Sequence, residues 1–547
     1  MKKILYIALL SSLTYTGCSS DFLDLKPASY SEENLFSDIA LSEGFINSLY
    51  SAMPMDVGNY PLNLNAASDE AKTTNPVATA NTIIRGDYSP SSNIMNRWQG
   101  GYKAIRSANL FLDNSHKLPA GTERDRLTGE AHFMRAYYYH ILLKHYGGKG
   151  LGLPLILKPQ QITDEIYIDR SSYEETLAAI VKDLDQAIAL LPIPAKTVSG
   201  RASKGAAMAL KVRVLLYAAS PMNNPTDDKS KWQATADAAK DLITKNYYSL
   251  HDDYSRLFLE KNKEMIFYKS FTLGAAEASL LDYNIQPTTT GGRGCSAPTQ
   301  EAVDAYEVVN EAGGIKTAVS FDWSNPAHAA APYAHRDPRF YASVLYDGAT
   351  WSDGKGGSRQ LDLKDGGLDR TMTPENATKT GYYLRKYMNF DFFPQFRIDG
   401  MVLSMQPYAE IRYGEVLLNY AEALLKLGQE DEARTYVNMI RGRKGVEMPA
   451  IPVGQLTWDR YVNERRVELA FEQHRFWDAK RWNIAENVFR SVKGISIKEV
   501  NGSKTYTPVL IENRTYTTKM DIFPIPQTEL DQYRAVIPGF KQNPGWE

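Results

Sequence analysis

Apolar residues recur at helical spacing through most of the first half of the chain and stop at prolines, and this limits the fold more than any other feature. Leu177, Ile180, Val181, Leu184, Ile188 and Leu191 fall on one face of a helix that must end at Pro192. Ser172, with Glu175 three residues on, has the form of a capping box at its start. Trp98, Tyr102, Ile105, Asn109 and Leu112 make a second stripe, and Ile46, Leu49, Tyr50 and Met53 a third that halts at Pro54. Two more helices are expected at 206–217 and 233–245. A helix with one apolar face has to bury it, so many such helices in succession pack on one another.

The helices come in pairs. Ala421-Glu422-Ala423-Leu424-Leu425-Lys426-Leu427-Gly428 is followed by a second helical run from Glu432 to Arg441. An Ala/Leu-rich helix, a Gly turn and a second helix opening with Glu-Ala is the logic of a tetratricopeptide hairpin. Looser pairs join 130–145 with 173–191 and 206–217 with 233–245, where Ala206, Ala207 and Ala209 admit close approach. The reading is a mostly α, degenerate helical-repeat scaffold. Between 271 and 399 the stripes fade, and Gly, Pro, Asp, Asn and Thr punctuate short strand-like runs such as 342–346. Long irregular insertions on a rigid scaffold are where binding residues concentrate.

The N-terminus reads as a secretory leader. Met1-Lys2-Lys3 precedes an apolar run from Ile4 to Leu13 that is too short to span a bilayer. Tyr15-Thr16-Gly17-Cys18 then resembles a bacterial lipobox, with Cys18 the expected lipidation site and mature N-terminus. Cys295 is the second of only two cysteines, so a lipidated Cys18 leaves no intramolecular disulfide. The leader holds two of the 62 basic residues, which leaves 60 against 64 acidic ones, or −4. That balance gives no drive toward nucleic acid. The expected organisation is a signal peptide at 1–17, a lipid-anchored tether at 18–26, a helical lobe at 27–270 and a second lobe at 271–547. The second lobe holds the variable loops (271–399) and a helical repeat (408–490).

Three motifs stand out in the first part of the chain: Gly129-Glu130-Ala131-His132-Phe133-Met134-Arg135-Ala136-Tyr137, Gly200-Arg201-Ala202-Ser203-Lys204-Gly205 and Pro298-Thr299-Gln300-Glu301. Arg336-Asp337-Pro338-Arg339-Phe340, Asn463-Glu464-Arg465-Arg466-Val467-Glu468, Phe476-Trp477-Asp478, Phe523-Pro524-Ile525-Pro526 and Asn543-Pro544-Gly545-Trp546 follow in order. Together and in this order they resemble the RagB/SusD family. The resemblance implies a SusD-like fold with about four tetratricopeptide-like helix pairs, long irregular loops and a few short strands. It also implies a surface-exposed, lipid-anchored protein of the cell outer membrane. Such a protein captures oligosaccharide or polysaccharide without cleaving it and delivers it to a SusC-like TonB-dependent transporter. The alternatives are a peptide-binding member of the same family and a surface glycoside hydrolase. No cofactor or metal is implied. The motifs themselves read as scaffold: Glu464, Arg465, Arg466 and Glu468 as ion pairs along a helix face, and Trp477 and Trp482 as helix-packing aromatics.

Ligand contacts must therefore be argued locally. A sugar lays its C–H face on an aromatic ring and gives its hydroxyls to Asn, Asp, Gln or Arg, so loop aromatics with polar neighbours are the candidates. Trp323 and Trp351 rank first, followed by Tyr283 with Asn284, and Tyr333. In the first half, Tyr60, Asn65, Asp69 and Arg85 have the same texture. Catalytic patterns are missing: there is no His-Glu-x-x-His, no Gly-x-Ser-x-Gly and no P-loop. Asp362-Leu363-Lys364-Asp365-Gly366-Gly367 lacks the spacing and terminal Glu of an EF-hand and reads as a solvated turn.

Overall fold

The computed structural model describes residues 32–54, 63–161, 163–272, 287–353, 357–371, 375–389 and 405–547. Helix Ile39–Ser51 (α1) starts where Asp38 accepts the Leu41 amide, and it buries Ile46 and Leu49. Trp98–Asn114 (α2) and Thr122–Tyr146 (α3) follow. α3 has Glu123 and Asp125 in its first turn and Lys144 in its last, favourable at both ends of the helix dipole. From Phe133 onward nearly every α3 residue is buried, which makes it the central helix on which α1 and α2 pack. Tyr173–Leu190 (α4) has the expected capping box: the Ser172 hydroxyl accepts from the Glu175 amide, and the Glu175 carboxylate accepts from the Ser172 amide. Lys204–Ala219 (α5), capped by Ser203, and Lys229–Thr244 (α6) complete the run.

The helical run then gives way to short pieces. Met265–Lys269 (β1) leads into a region holding helix Gln300–Asp304 (α7) and hairpin Val308–Ala312 (β2) with Ile315–Val319 (β3). A second hairpin joins Thr350–Ser352 (β4) to Ser358–Gln360 (β5). Tyr408–Arg412 (β6) leads out and pairs antiparallel with β1, Tyr408 opposite Lys269 and Arg412 opposite Met265. The ends of the insertion are thus tied together at its neck. Beyond the neck, Tyr413–Lys426 (α8) packs directly on α6, and Glu430–Arg441 (α9) packs on α8. Gly428 makes the α8–α9 turn with φ 79°, a conformation that favours glycine. The helical stack therefore continues across the insertion, each helix lying on its predecessor. Trp458–Glu468 (α10), His474–Arg481 (α11), hairpin Ser491–Val500 (β7) with Ser503–Asn513 (β8), and Gln527–Val536 (α12) end the chain.

The architecture is the mostly α, repeat-like one expected, and among the described residues strands pair only in twos. One apolar cluster runs from Phe36 to Trp546 and draws on both sides of residue 270.

The charged motif on α10 departs from expectation. Its residues pair, but inside the protein and between elements instead of along an exposed face. Glu468 accepts from Arg412 and Arg443 at 2.8 Å and from Arg339 at 3.0 Å. Glu464 accepts from Arg339 at 2.7 Å and Arg441 at 2.6 Å, while Arg465 donates to Asp478 at 2.7 Å. The inner face of α10 is buried, so its glutamates meet four arginines from three other segments. Burial alone would raise the Glu468 carboxyl, but the guanidiniums of Arg443, Arg412 and Arg339 bring it down to about 2. Buried charges persist only when paired in this way. Gly414 sits at the crossing, where a Cβ would collide with the Arg412 guanidinium. Trp477 packs on the His145 ring with centroids 4.8 Å apart, and Trp482 packs on Trp458 at 5.5 Å.

Candidate functional site

The candidate site is an aromatic ledge carried by the insertion. Thr299 caps α7 by accepting the Ala302 amide, which fixes the direction of Asp304 at the helix end. The Asp304 carboxylate accepts the Trp323 indole N–H at 3.1 and 3.2 Å and the Gln300 amide at 2.7 Å. Gln300 in turn accepts the Tyr382 hydroxyl at 2.8 Å. The loop around Trp323 holds its own shape. Asp322 accepts from the Ser324 amide and hydroxyl, and Asn325 caps a short helix, Pro326–Ala330, by accepting the Ala327 amide.

Three rings form the ledge. Phe321 meets Trp323 edge-on at 5.1 Å, and His328 stacks on Phe321 at 5.3 Å. The Arg336 guanidinium lies 4.3 Å from the Phe321 ring and donates to the carbonyls of Val303, Tyr306 and Pro332. It pins the ledge to the end of α7. Phe321, Trp323 and His328 are half-buried, and Asp322, Ser324 and Asn325 beside them are exposed. The β7–β8 hairpin closes one side: Glu301 accepts the Lys493 amide at 3.0 Å, and Tyr506 meets Tyr333 edge-on at 5.5 Å. Burial raises the carboxyls of Glu301 and Asp304 above their ordinary values. Both nevertheless accept hydrogen bonds that hold the ledge in place. Among the described residues no group of three or more His, Cys, Asp or Glu side chains is arranged to hold a metal ion.

The residues singled out from sequence separate on this frame. Trp323 lies on the ledge with its edge fixed and its ring half open. Tyr333 lies beneath, buried among Phe340, Tyr346, Tyr382 and Tyr506. Trp351 is fully buried, its indole N–H 3.3 Å from the Thr290 hydroxyl, because hairpin pairing of β4 with β5 turns it inward. It offers no ring face to a ligand in this conformation. Asn65 is also interior. Its amide donates to the Phe471 carbonyl at 2.8 Å and its oxygen accepts the Gln473 amide at 2.9 Å. This clamps a turn in which Phe471 and Gln473 both have positive φ, 62° and 68°. Asp69 is buried and pairs with Arg475 at 2.8 Å and Arg466 at 3.0 Å. Arg85 is exposed and pairs with Asp87 at 2.6 Å. Tyr60, Tyr283, Asn284 and Cys18 lie outside the described residues. Sequence reasoning missed Phe321, His328, Arg336 and Asp304. Phe321 was legible as Trp323's aromatic neighbour, but the Asp304–Trp323 pairing leaves no local signal.

Comparison with known proteins supplies a context for this geometry. Residues 243–546 match the model of the SusD family, and residues 21–216 match a model described as "Starch-binding associating with outer membrane". SusD-like protein P2 of Formosa agariphila is 25% identical, over 100% of this chain and 99% of that protein. SusD-like protein P38 of the same organism is 23% identical, over 79% of this chain and 80% of its own length. A SusD-like protein of Bacteroides fragilis superposes with TM-score 0.78 at 28% identity, covering 94% of this chain and 98% of that one. A SusD-like carbohydrate-binding protein of the same species superposes with TM-score 0.74 at 24% identity, covering 91% and 98%. The second resemblance speaks for the fold alone.

Proposed function

The chain belongs to the SusD family, and from that premise we propose that it captures oligosaccharide or polysaccharide segments on the Trp323 ledge, without cleaving them, for delivery to a SusC-like TonB-dependent transporter. The observation that carries the reading is the posture of Trp323. Its N–H is tied to Asp304, so the ring is held rigid at low entropic cost, with polar side chains on its rim. A rigid ring with a polar border suits the C–H face and hydroxyls of a pyranose. The starch-binding description of the N-terminal match supports the same ligand class. The ledge carboxylates Glu301 and Asp304 already accept bonds from the protein, which favours capture over hydrolysis.

In this reading a lipid on Cys18 anchors the protein at the outer membrane, which the secretory leader and the lipobox-like Tyr15-Thr16-Gly17-Cys18 support. Among the described residues no helix is long and apolar enough to cross a membrane. The test is binding of the form that starts after Cys18 to a panel of polysaccharides, oligosaccharides and peptides, with product analysis on each. Saturable glycan binding without products, weakened by Trp323→Ala, supports capture. Products traceable to the protein would overturn it, and peptide binding alone would move it to the peptide-binding branch. Co-purification with a barrel from an outer-membrane extract tests delivery.

A further inference from the structure

A groove on the helical side of the molecule shares no residue with the ledge. It encloses about 510 Å³ between α2, residues 156–160 and 166–167, and α12, within the roughly 300–1,000 Å³ of small-molecule sites. Its floor is aromatic. Trp98 meets Tyr102 at 5.1 Å and Tyr533 at 6.2 Å, and Tyr167 stands edge-on to Tyr533 at 5.0 Å. Trp98 and Tyr533 are buried and form the base, while Tyr102 and Tyr167 are half-buried and expose part of their rings. The Tyr102 hydroxyl is tied to the Pro154 carbonyl at 3.0 Å, so that ring is held as firmly as Trp323.

The rim is polar. Glu529 lines the groove, half-buried, and its carboxylate has no hydrogen-bond or ion-pair partner among the described residues. Burial pushes its carboxyl above the ordinary value, and among the described residues no cationic side chain pairs with it. A half-buried carboxylate left unpaired beside tyrosine faces is suited to accept hydroxyl donors from a ligand. Gln532 receives only a long contact, 3.4 Å, from the Tyr167 hydroxyl. Lys103, Lys158 and Arg106 stand exposed on the outer lip.

We propose that this groove is a second saccharide-binding site, in which a pyranose packs on Tyr102 and Tyr167 and donates hydroxyls to Glu529. It extends the saccharide-binding reading of the ledge to a separate surface. Neutral and uronate-bearing chains share this ring chemistry. The three lip cations should make the uronate chain the tighter ligand and its binding the more salt-sensitive.

Hydrogen–deuterium exchange on the chain that starts after Cys18, with maltohexaose, cellohexaose or hexagalacturonate, reads each surface separately. Slowed exchange in 156–167 and 527–533 with at least one of the three is expected. Tyr167→Ala should weaken that effect by about tenfold or more, as should the shape-preserving Glu529→Gln. Trp323→Ala should leave it intact. Unchanged exchange in both groove segments with all three sugars overturns the inference, as does loss of groove protection in Trp323→Ala. Slowed exchange at 321–328 alone would overturn the groove and leave the ledge standing, and slowing at the groove alone would do the reverse.

Discussion

Trp323 and Trp351 both belong to the irregular region and both have serine and aspartate beside them, yet they are used in opposite ways. Trp351 lies on β4, where pairing with β5 points it into the protein, and its surface is entirely covered. Trp323 lies on a loop with no strand partner, held by one side-chain bond to Asp304 and left half open. The same contrast holds on a larger scale between the ledge and the turn joining α10 to α11. That turn is also irregular, but Asn65 and a buried set of arginine–carboxylate pairs fix it from several sides. Irregular backbone in this protein is of two kinds: one serves as mortar for the helices, and the other presents side chains to solvent. The first kind is held by buried bonds to distant segments, and the second mainly by bonds within its own loop and by Asp304.

Breaking the mortar should have the largest effect. Glu468→Gln removes the charge shared by Arg339, Arg412 and Arg443 and leaves them buried without it. A loss of about 3–5 kcal/mol of stability is expected, visible as a large drop in the urea midpoint. A shift within the error of wild type would mean the network is looser than its geometry. The two tryptophans sharpen the contrast next. Trp351→Ala should cost about 3–5 kcal/mol by opening a cavity. Trp323→Ala should change stability by about 1 kcal/mol or less while weakening glycan binding about tenfold or more. If both variants melt alike, the distinction between core and ledge fails.

Asn65→Ala should cost about 1–3 kcal/mol, because it leaves the Gln473 amide buried without its partner, while the Phe471 carbonyl keeps only the Tyr387 hydroxyl. Calorimetry that finds no change would show that the turn holds itself. The last effect is pH-dependent. Burial opposes ionisation of Asp69, but Arg466 and Arg475 overcome it and bring the carboxyl down to about 2. Its contribution is therefore present above the ordinary carboxylate range and lost as pH falls toward about 2. Beside it, Glu70 is pushed by burial up to about 8, so the folded state holds its proton more tightly than the unfolded chain. Stability should fall as pH rises from about 4.5 to about 8, and Glu70→Gln should flatten that slope in thermal melts. An unchanged slope in the variant would assign the effect elsewhere.

Much of this organisation was legible from sequence. The α4 stripe, its Ser172 cap and the Gly428 turn are legible because helical periodicity and capping are local. The charged α10 motif was read as scaffold, but its burial was not, since the arginines that meet it come from distant segments. Asn65 and Asp69 have the composition of a binding loop and act as clamps, because what they hold lies some four hundred residues away in sequence.

The sequence by itself determined the paired helices of the scaffold, their order and the family. Those follow from the spacing of apolar side chains and from motifs read along the chain. Only the tertiary structure decided that β1 and β6 close the insertion so that α8 stacks on α6. It also decided which tryptophan faces outward. Exposure depends on strand pairing and on single long-range bonds such as Asp304 to Trp323, and no local pattern of residue types encodes either.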